Sequence, residues 1–308
     1  MTQTHPFVEN FKLNKMLNNH LYEVRNKKIK PNTKGAYSYC YFFGDYVILK
    51  NRDKIDMVER GEYLEEDFEK QKQFFNELKQ REGVSIPEMC CCYKGKHHFY
   101  RIEERAKGNV LSVFYPSTAR ALTFKTNKVL DNNNTAAEIE QEEKIQPSEA
   151  SEIGYGMFLY NNNMQKQLKN ADQKHFDKFV RDFKILIENH VGIDTSRSEN
   201  FLFDKNSGFS FVDLEMDNSL TSVPDDFVIA QRIFSAFADF KTYLQYMNSN
   251  QQRIILLNHD AVLNRVLQAI KNNKFNLSPE QYKCLSVLCN RGKEEYAKLV
   301  KMGKMIKN

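Results

Sequence analysis

Apolar residues fall into short alternating or continuous runs in the first third of this chain and into helical spacing in the last half. Phe11, Leu13, Met16, Leu17, Leu21 and Val24 recur at loosely helical intervals over residues 7–30, and Pro31-Asn-Thr-Lys-Gly35 ends that pattern. Aromatic and β-branched runs then cover Tyr37 to Phe43 and Tyr46 to Lys50, joined by Gly44-Asp45, which predicts a hairpin. Residues 59–80 predict a long helix with Leu64, Phe68, Phe74, Phe75 and Leu78 inward, stopped by Gly83. Two more strands are expected at Ile86 to Tyr93 and His97 to Glu103, around Lys94-Gly95-Lys96. Helical periodicity resumes at about Met164, and His175 to Asn189 is strongly amphipathic. Phe201-Leu-Phe203 and Phe209 to Val212 flank Asp204-Lys-Asn-Ser-Gly208 as a second hairpin, and Phe227 to Met305 reads as helices throughout. The pattern predicts an α+β protein, β-rich first and α-rich later.

Composition adjusts this picture in one place. Asn132-Asn-Asn134, Ala136-Ala137 and scattered glutamates leave little to bury, so a mobile acidic insertion is expected at about 131–155. The expected organisation is a helical extension over 1–30, a β-rich lobe over 31–108 and an α-rich lobe over 109–308 that carries the insertion. A length of 308 residues accommodates one large core or two lobes. The net charge of +5 is mild, with lysine runs at Lys27-Lys28-Ile29-Lys30 and Lys298 to Lys307 that would meet an anionic partner; no aromatic-interleaved basic motif for nucleic acid is present, so no DNA partner is expected. Cys90-Cys91-Cys92, Cys284 and Cys289 have neither zinc-knuckle nor disulfide-framework spacing, and reduced thiols are expected. Residues 1–9 lack an apolar signal core and no stretch is long enough to span a membrane. A cytoplasmic location is expected, with export from a bacterium into a host cytosol by a specialised route left open.

The chemistry concentrates between Asp194 and Glu215. The second hairpin folds its two ends together, bringing Asn200 beside Asp213, and an amide oxygen with a carboxylate is a hard-oxygen pair suited to Mg²⁺ with phosphates and waters. Asp194 stands just upstream, where a base would face the same metal. Phosphoryl transfer also needs a cover for the phosphates and a cation on them. Gly35 and Ser38, at the entrance to the first hairpin, are candidates for the cover, and Lys50, at the end of its second strand, for the cation.

The order Lys50, long helix, two strands, helix, Asp194, Asn200, Asp213 resembles the protein-kinase-like fold over about residues 33–240. Ile193-Asp194 and Ser198-Glu199-Asn200-Phe-Leu-Phe-Asp204 look like the catalytic loop with its following strand, and Val212-Asp213-Leu214, thirteen positions after Asn200, looks like the metal-binding motif. The resemblance implies a two-lobed fold, with a β-rich N-lobe containing one long helix and an α-rich C-lobe. It implies ATP and Mg²⁺ as cofactors: Lys50 on the α/β-phosphates, Asn200 and Asp213 on the metal, Asp194 as catalytic base, Arg197 on the γ-phosphate, and Glu103 to Gly108 as the hinge offering backbone groups to adenine. It also implies an acid on the long helix paired with Lys50. Gln71 falls in that register, with Glu66 and Glu69 as acidic alternatives and Glu69 the candidate.

The sequence departs from the family pattern in three ways. No His-Arg precedes Asp194, which lies six residues from Asn200 where the family has five. Glu215 replaces the glycine after Leu214, as in small-molecule kinases of the choline and aminoglycoside kind, and is a third metal candidate. Barely a dozen residues separate Glu215 from the next helix, too few for an ordinary activation segment, as in compact bacterial effector kinases. The resemblance thus implies an atypical Ser/Thr protein kinase, with a small-molecule kinase or a catalytically impaired pseudokinase as the alternatives.

Overall fold

The computed structural model describes residues 11–34, 38–51, 63–95, 98–111, 147–195, 200–216, 222–238, 249–290 and 297. It is a mixed α and β protein whose sheets are all antiparallel, and the chain divides into two compact units, Met1–Ala106 and Lys107–Asn308.

The first unit contains α1 (Phe11–Arg25), β1 (Thr33–Lys34), β2 (Ser38–Phe43), β3 (Tyr46–Asn51), α2 (Tyr63–Glu82), β4 (Met89–Lys94) and β5 (Phe99–Glu104). The strands form one sheet in the order β1-β2-β3-β5-β4. Strand side chains alternate between faces, so one face collects Tyr41, Ile48, Tyr100 and Ile102. Helix α1 covers that face with Leu17, Leu21 and Val24. The N-terminal helix is therefore part of this unit's core. Helix α2 reaches the opposite face, where Phe68 meets Phe99 edge-on. It also holds the β4 edge: the Asn76 amide donates to the Met89 carbonyl (2.8 Å) and accepts from the Met89 N–H (3.0 Å). A side chain that satisfies edge-strand backbone groups in this way removes a docking edge for other strands.

The second unit contains β6 (Asn109–Val110), α3 (Pro147–Asn170), α4 (Gln173–Glu188), β7 (Val191–Gly192), β8 (Phe201–Asp204), β9 (Gly208–Phe211), β10 (Glu215–Met216), α5 (Asp226–Ala238), α6 (Ser249–Asn272) and α7 (Pro279–Leu288). Helix α3 begins well before the Met164 periodicity. Residues 147–155, expected from composition to be part of a mobile insertion, are helical. Proline fits the first helical turn, where its missing N–H has no partner to lose. Residues 131–146 of the expected insertion, and most of the helix expected beyond 290, lie outside the described residues.

The core of this unit is aromatic. Phe179 on α4 stacks flat on Phe211 (centroids 4.9 Å apart, 9° between planes) and lies within 6 Å of Phe201, Phe209 and Phe237. The hairpin β8–β9 thus lies on the apolar stripe of α4, and α5 closes over both through Phe237. Among the described residues no helix is long and apolar enough to cross a membrane.

Candidate functional site

Two short ladders in the second unit set the site. The hairpin pairs Phe201 with Phe211 and Asp204 with Gly208, as its turn composition predicts. A two-residue ladder that the sequence did not signal pairs Gly192 with Glu215 and Val191 with Met216. Residues 193–195 therefore leave the short ladder, and Asn200 enters the hairpin, on the side where 212–214 run from the hairpin back to the short ladder. The Val212 N–H donates to the Asn200 carbonyl (2.9 Å), which brings Asp213 to the end of the loop that carries Asn200.

Asn200 is buried, and its Nδ2 donates to the Asp194 carbonyl (3.2 Å). That bond commits the nitrogen of the amide to the loop and leaves Oδ1 as the atom that would face a cation. Arg232 on α5 donates from Nη2 to the Ile193 carbonyl (2.9 Å), a second clamp on the same loop. Nothing in the spacing of Arg232 pointed to this role, because it follows from where α5 packs. Asp213 is exposed and has φ +57, the left-handed region that only a few non-glycine residues enter, Asp and Asn most readily. Such conformations cost free energy and collect at ligand sites. Asp194 is exposed just after β7 and Glu215 is exposed on β10 itself; Arg197 lies outside the described residues.

The donor types at Asn200 and Asp213 are those that a hard divalent cation takes. Asn200 and Asp213 supply amide and carboxylate oxygens, and among the described residues no three His, Cys, Asp or Glu side chains converge as a ligand set. A cation there would draw its remaining ligands from phosphate and water, which is how Mg²⁺ is commonly held.

At the far end of the hairpin Asp204 is structural. Its Oδ1 accepts from the N–H groups of Ser207 (2.8 Å) and Asn206 (2.9 Å) and from the Ser207 hydroxyl, and these bonds, the Ser207 N–H foremost, hold its carboxyl below the usual range. Gly208 follows with φ +83, and a Cβ there would lie 2.6 Å from Nδ1 of His175.

In the first unit Lys50 is buried on β3, paired across the ladder with Tyr39 and Tyr100. It shares a face with Ile48, so it points to the side that α1 covers, whereas α2 contacts the face of Phe99. The expected pairing of Lys50 with an acid on α2 is therefore not made. The Glu69 carboxylate instead accepts from Lys72 on its own helix (2.8 Å). No other carboxylate pairs with Lys50 among the described residues, and its ammonium pKa is lowered, first by burial and then by the charge of Lys27. Ser38 is buried opposite Asn51, on the alternate face from Lys50; Gly35 lies outside the described residues. Glu103 is half-buried on β5, opposite Val47 and Met89.

The segment expected as a hinge has its own local ties. In the first unit the Arg105 N–H donates to the Asp45 carbonyl (2.7 Å). In the second, β6 pairs with β8 and the Leu111 N–H donates to the Phe201 carbonyl (3.0 Å). Gly108 has φ +105, and a Cβ there would lie 2.5 Å from the carbonyl carbon and oxygen of Phe203.

No protein-family model matches this chain, and no curated protein matches it. Among solved structures it is similar to WbdD, a bifunctional kinase-methyltransferase, in a complex with a kinase inhibitor (11% identity, TM-score 0.33, covering 85% of this chain and 44% of that one) and in a second structure (11%, TM-score 0.32, 84% and 43%). The chain thus spans less than half the length of that protein. At so low a TM-score, what this chain does has to be argued from its own residues.

Proposed function

We propose that the chain is a protein-kinase-like phosphotransferase that uses Mg²⁺ and ATP to phosphorylate a hydroxyl, with a protein Ser or Thr as the acceptor. The observation that carries this reading is the juxtaposition of Asn200 and Asp213 across two ladders, with the Asn200 amide nitrogen bonded to the backbone of Asp194. A metal ion held there would neutralise phosphate charge and set the γ-phosphate in line with the acceptor. Asn200 Oδ1 and the Asp213 carboxylate would hold it. Asp194, fixed at its backbone by Asn200 and beside Ile193, which Arg232 clamps, would accept the proton of the acceptor hydroxyl. Lys50 and Arg197 would bear on the phosphates, with Gly35 and Ser38 covering them and the Glu103–Gly108 segment offering backbone groups to adenine.

The longer Asp194-to-Asn200 spacing bears on whether this is an enzyme or only a binding module. The bond from Asn200 to the Asp194 carbonyl is made despite the extra residue, which favours a working base. Glu215, on the strand that follows Asp213, and the short connection to α5 at Asp226 favour a second reading, a small-molecule acceptor. Thermal-shift titration with ATP and Mg²⁺, followed by transfer of labelled phosphate, tests the proposal. Metal-dependent stabilisation is expected, abolished in Asp213→Ala and retained in Asp194→Ala, which loses transfer. Absence of metal-dependent stabilisation in the native sequence overturns the reading, and full transfer by Asp194→Ala overturns the assignment of the base.

A further inference from the structure

The two helices that cover the sheet of the first unit differ in charge. Helix α2 carries six acidic and four basic residues, and three of its cations hold carboxylates: Lys72 that of Glu69 (2.8 Å), Lys79 that of Glu104 (2.6 Å) and Arg81 that of Glu82 (2.8 Å). On α1 and the turn after it, residues 15–30 contain five basic residues and one acidic, Glu23, which lies 3.6 Å from the His20 ring. Lys15, Arg25, Lys27, Lys28 and Lys30 are exposed, and among the described residues none of them pairs with a carboxylate. Arg25 and Lys28 lie against aromatic rings instead. The Arg25 Nη1 donates to the Tyr93 hydroxyl (2.9 Å) with the guanidinium 5.3 Å from that ring's centre, and the Lys28 ammonium is 4.7 Å from the centre of Tyr22. Tyr22, on the same helical stripe as Lys15, is 56% exposed, and Met16 beside that stripe is 49% exposed. The turn itself carries a lysine where one is costly. The Lys28 N–H donates to the Glu23 carbonyl (2.9 Å) and the Lys27 N–H to the Val24 carbonyl (3.2 Å), a closure that makes the residue after the helix left-handed. Glycine or asparagine is the usual choice there, yet the residue is Lys27 (φ +55).

Cations left without acids and interleaved with exposed tyrosine suit an anionic lipid surface. Headgroup phosphates and carboxylates take the charges, and amphipathic rings sit at headgroup level. Lipids rearrange beneath scattered cations, so such docking needs no groove. The acidic face of α2 is repelled by the same surface and sets the orientation. Single-stranded nucleic acid would need free ring faces on which to stack its bases, and Tyr22 and Tyr93 each have a face taken by their own cation. We propose that the exposed stripe of α1 and the turn at 26–30 form a docking face for an anionic membrane surface, on which the first unit lies with α1 down. This face stands on the first unit alone and asks nothing of the phosphotransferase site.

The test is co-sedimentation of the full chain with phosphatidylcholine vesicles, without and with about 30% phosphatidylserine. Binding is expected to the anionic vesicles alone and should weaken as salt is raised. Lys15→Gln, Lys28→Gln and Lys30→Gln together should weaken it about a hundredfold, at about fivefold for each charge near the surface. Lys70→Gln, Lys205→Gln and Lys283→Gln together remove the same net charge from exposed positions elsewhere and should change little. Lys27→Gly should weaken binding about fivefold while raising the melting temperature, because it removes one cation and relieves the left-handed turn. Equal binding to neutral vesicles, equal weakening by the two triple variants, or wild-type binding by the Lys15, Lys28 and Lys30 variant overturns the docking face. So does release from the vesicles by single-stranded RNA or polyglutamate at a charge concentration well below that of the lipid, which would assign these cations to a nucleic acid or an acidic protein.

Discussion

The two units place their chemically interesting side chains by different means. In the second, backbone ladders at both ends of two adjacent loops bring Asn200 and Asp213 together, and an aromatic wedge beneath them holds the hairpin in place. In the first, Lys50 is placed by strand alternation alone, which turns it toward whichever helix covers that face. Register by ladder is specified locally and is hard to slip. Which helix covers which face is decided by packing between elements far apart in sequence. The contrast explains why the approach of the Asn200 and Asp213 backbones followed from the hairpin pattern, whereas the face to which Lys50 turns did not follow from its strand.

The largest effect should come from the wedge. Phe179 touches both strands of the hairpin and α5, so Phe179→Ala should cost about 3–5 kcal/mol, the range for a large buried aromatic. Denaturant unfolding followed by a probe in the second unit measures it. A cost near ~1 kcal/mol, the scale of a lightly packed position, would mean the hairpin does not depend on that ring.

Next come the two glycines around the hairpin. Gly108→Ala should cost about 1–3 kcal/mol, because its left-handed φ is strained for alanine and the new methyl meets backbone atoms of Phe203. Gly208→Ala carries the same kind of φ, but its clash is with the His175 ring, which can turn away. It should therefore be the milder of the two. The reverse order would mean that β6 yields more easily than the His175 side chain, and that β6 does not brace β8.

Much of this was legible in the sequence, for physical reasons. The Asp204 to Gly208 turn fixes a short hairpin, and period-2 apolar residues fix its faces, so the approach of Asn200 to Asp213 followed. Helices α1, α2 and α4 announced themselves by apolar spacing and by Pro31 and Gly83. The ladder between β7 and β10 was invisible because two residues are too few to show a period. Pro147 to Glu152 has no apolar stripe, so the start of α3 was read as an insertion. The Arg232 clamp and the side of the sheet that Lys50 faces are products of tertiary packing, which no spacing along one strand encodes.

Lys50→Met tests the first unit's side of the comparison with a change of opposite sign. It removes a buried ammonium that no described carboxylate compensates, so at neutral pH and without ligand the variant should be more stable by about 1 kcal/mol. The advantage should shrink with pH. The folded pKa of Lys50 is lowered, so between that value and the ordinary one the unfolded chain binds more protons, and wild-type stability recovers as pH rises through this window. Urea unfolding at pH 7 and at about pH 10, just under the ordinary lysine value, measures both arms. Destabilisation at pH 7 would show that Lys50 has a counter-charge after all.

Glu69→Gln should have the smallest effect and separates the two ways of placing a residue most finely. Its carboxylate pairs with Lys72 one turn away on the same helix, and the pair is largely exposed, so about 0.5 kcal/mol or less is at stake. Because Lys50 faces α1, nucleotide binding should be unchanged as well. If Glu69→Gln instead weakened Mg-ATP binding several-fold without altering stability, the acid would be reaching Lys50 in the liganded protein. Strand β3 would then present its lysine to α2 when nucleotide is present, and the facing seen here would be one of two states rather than a fixed consequence of strand alternation.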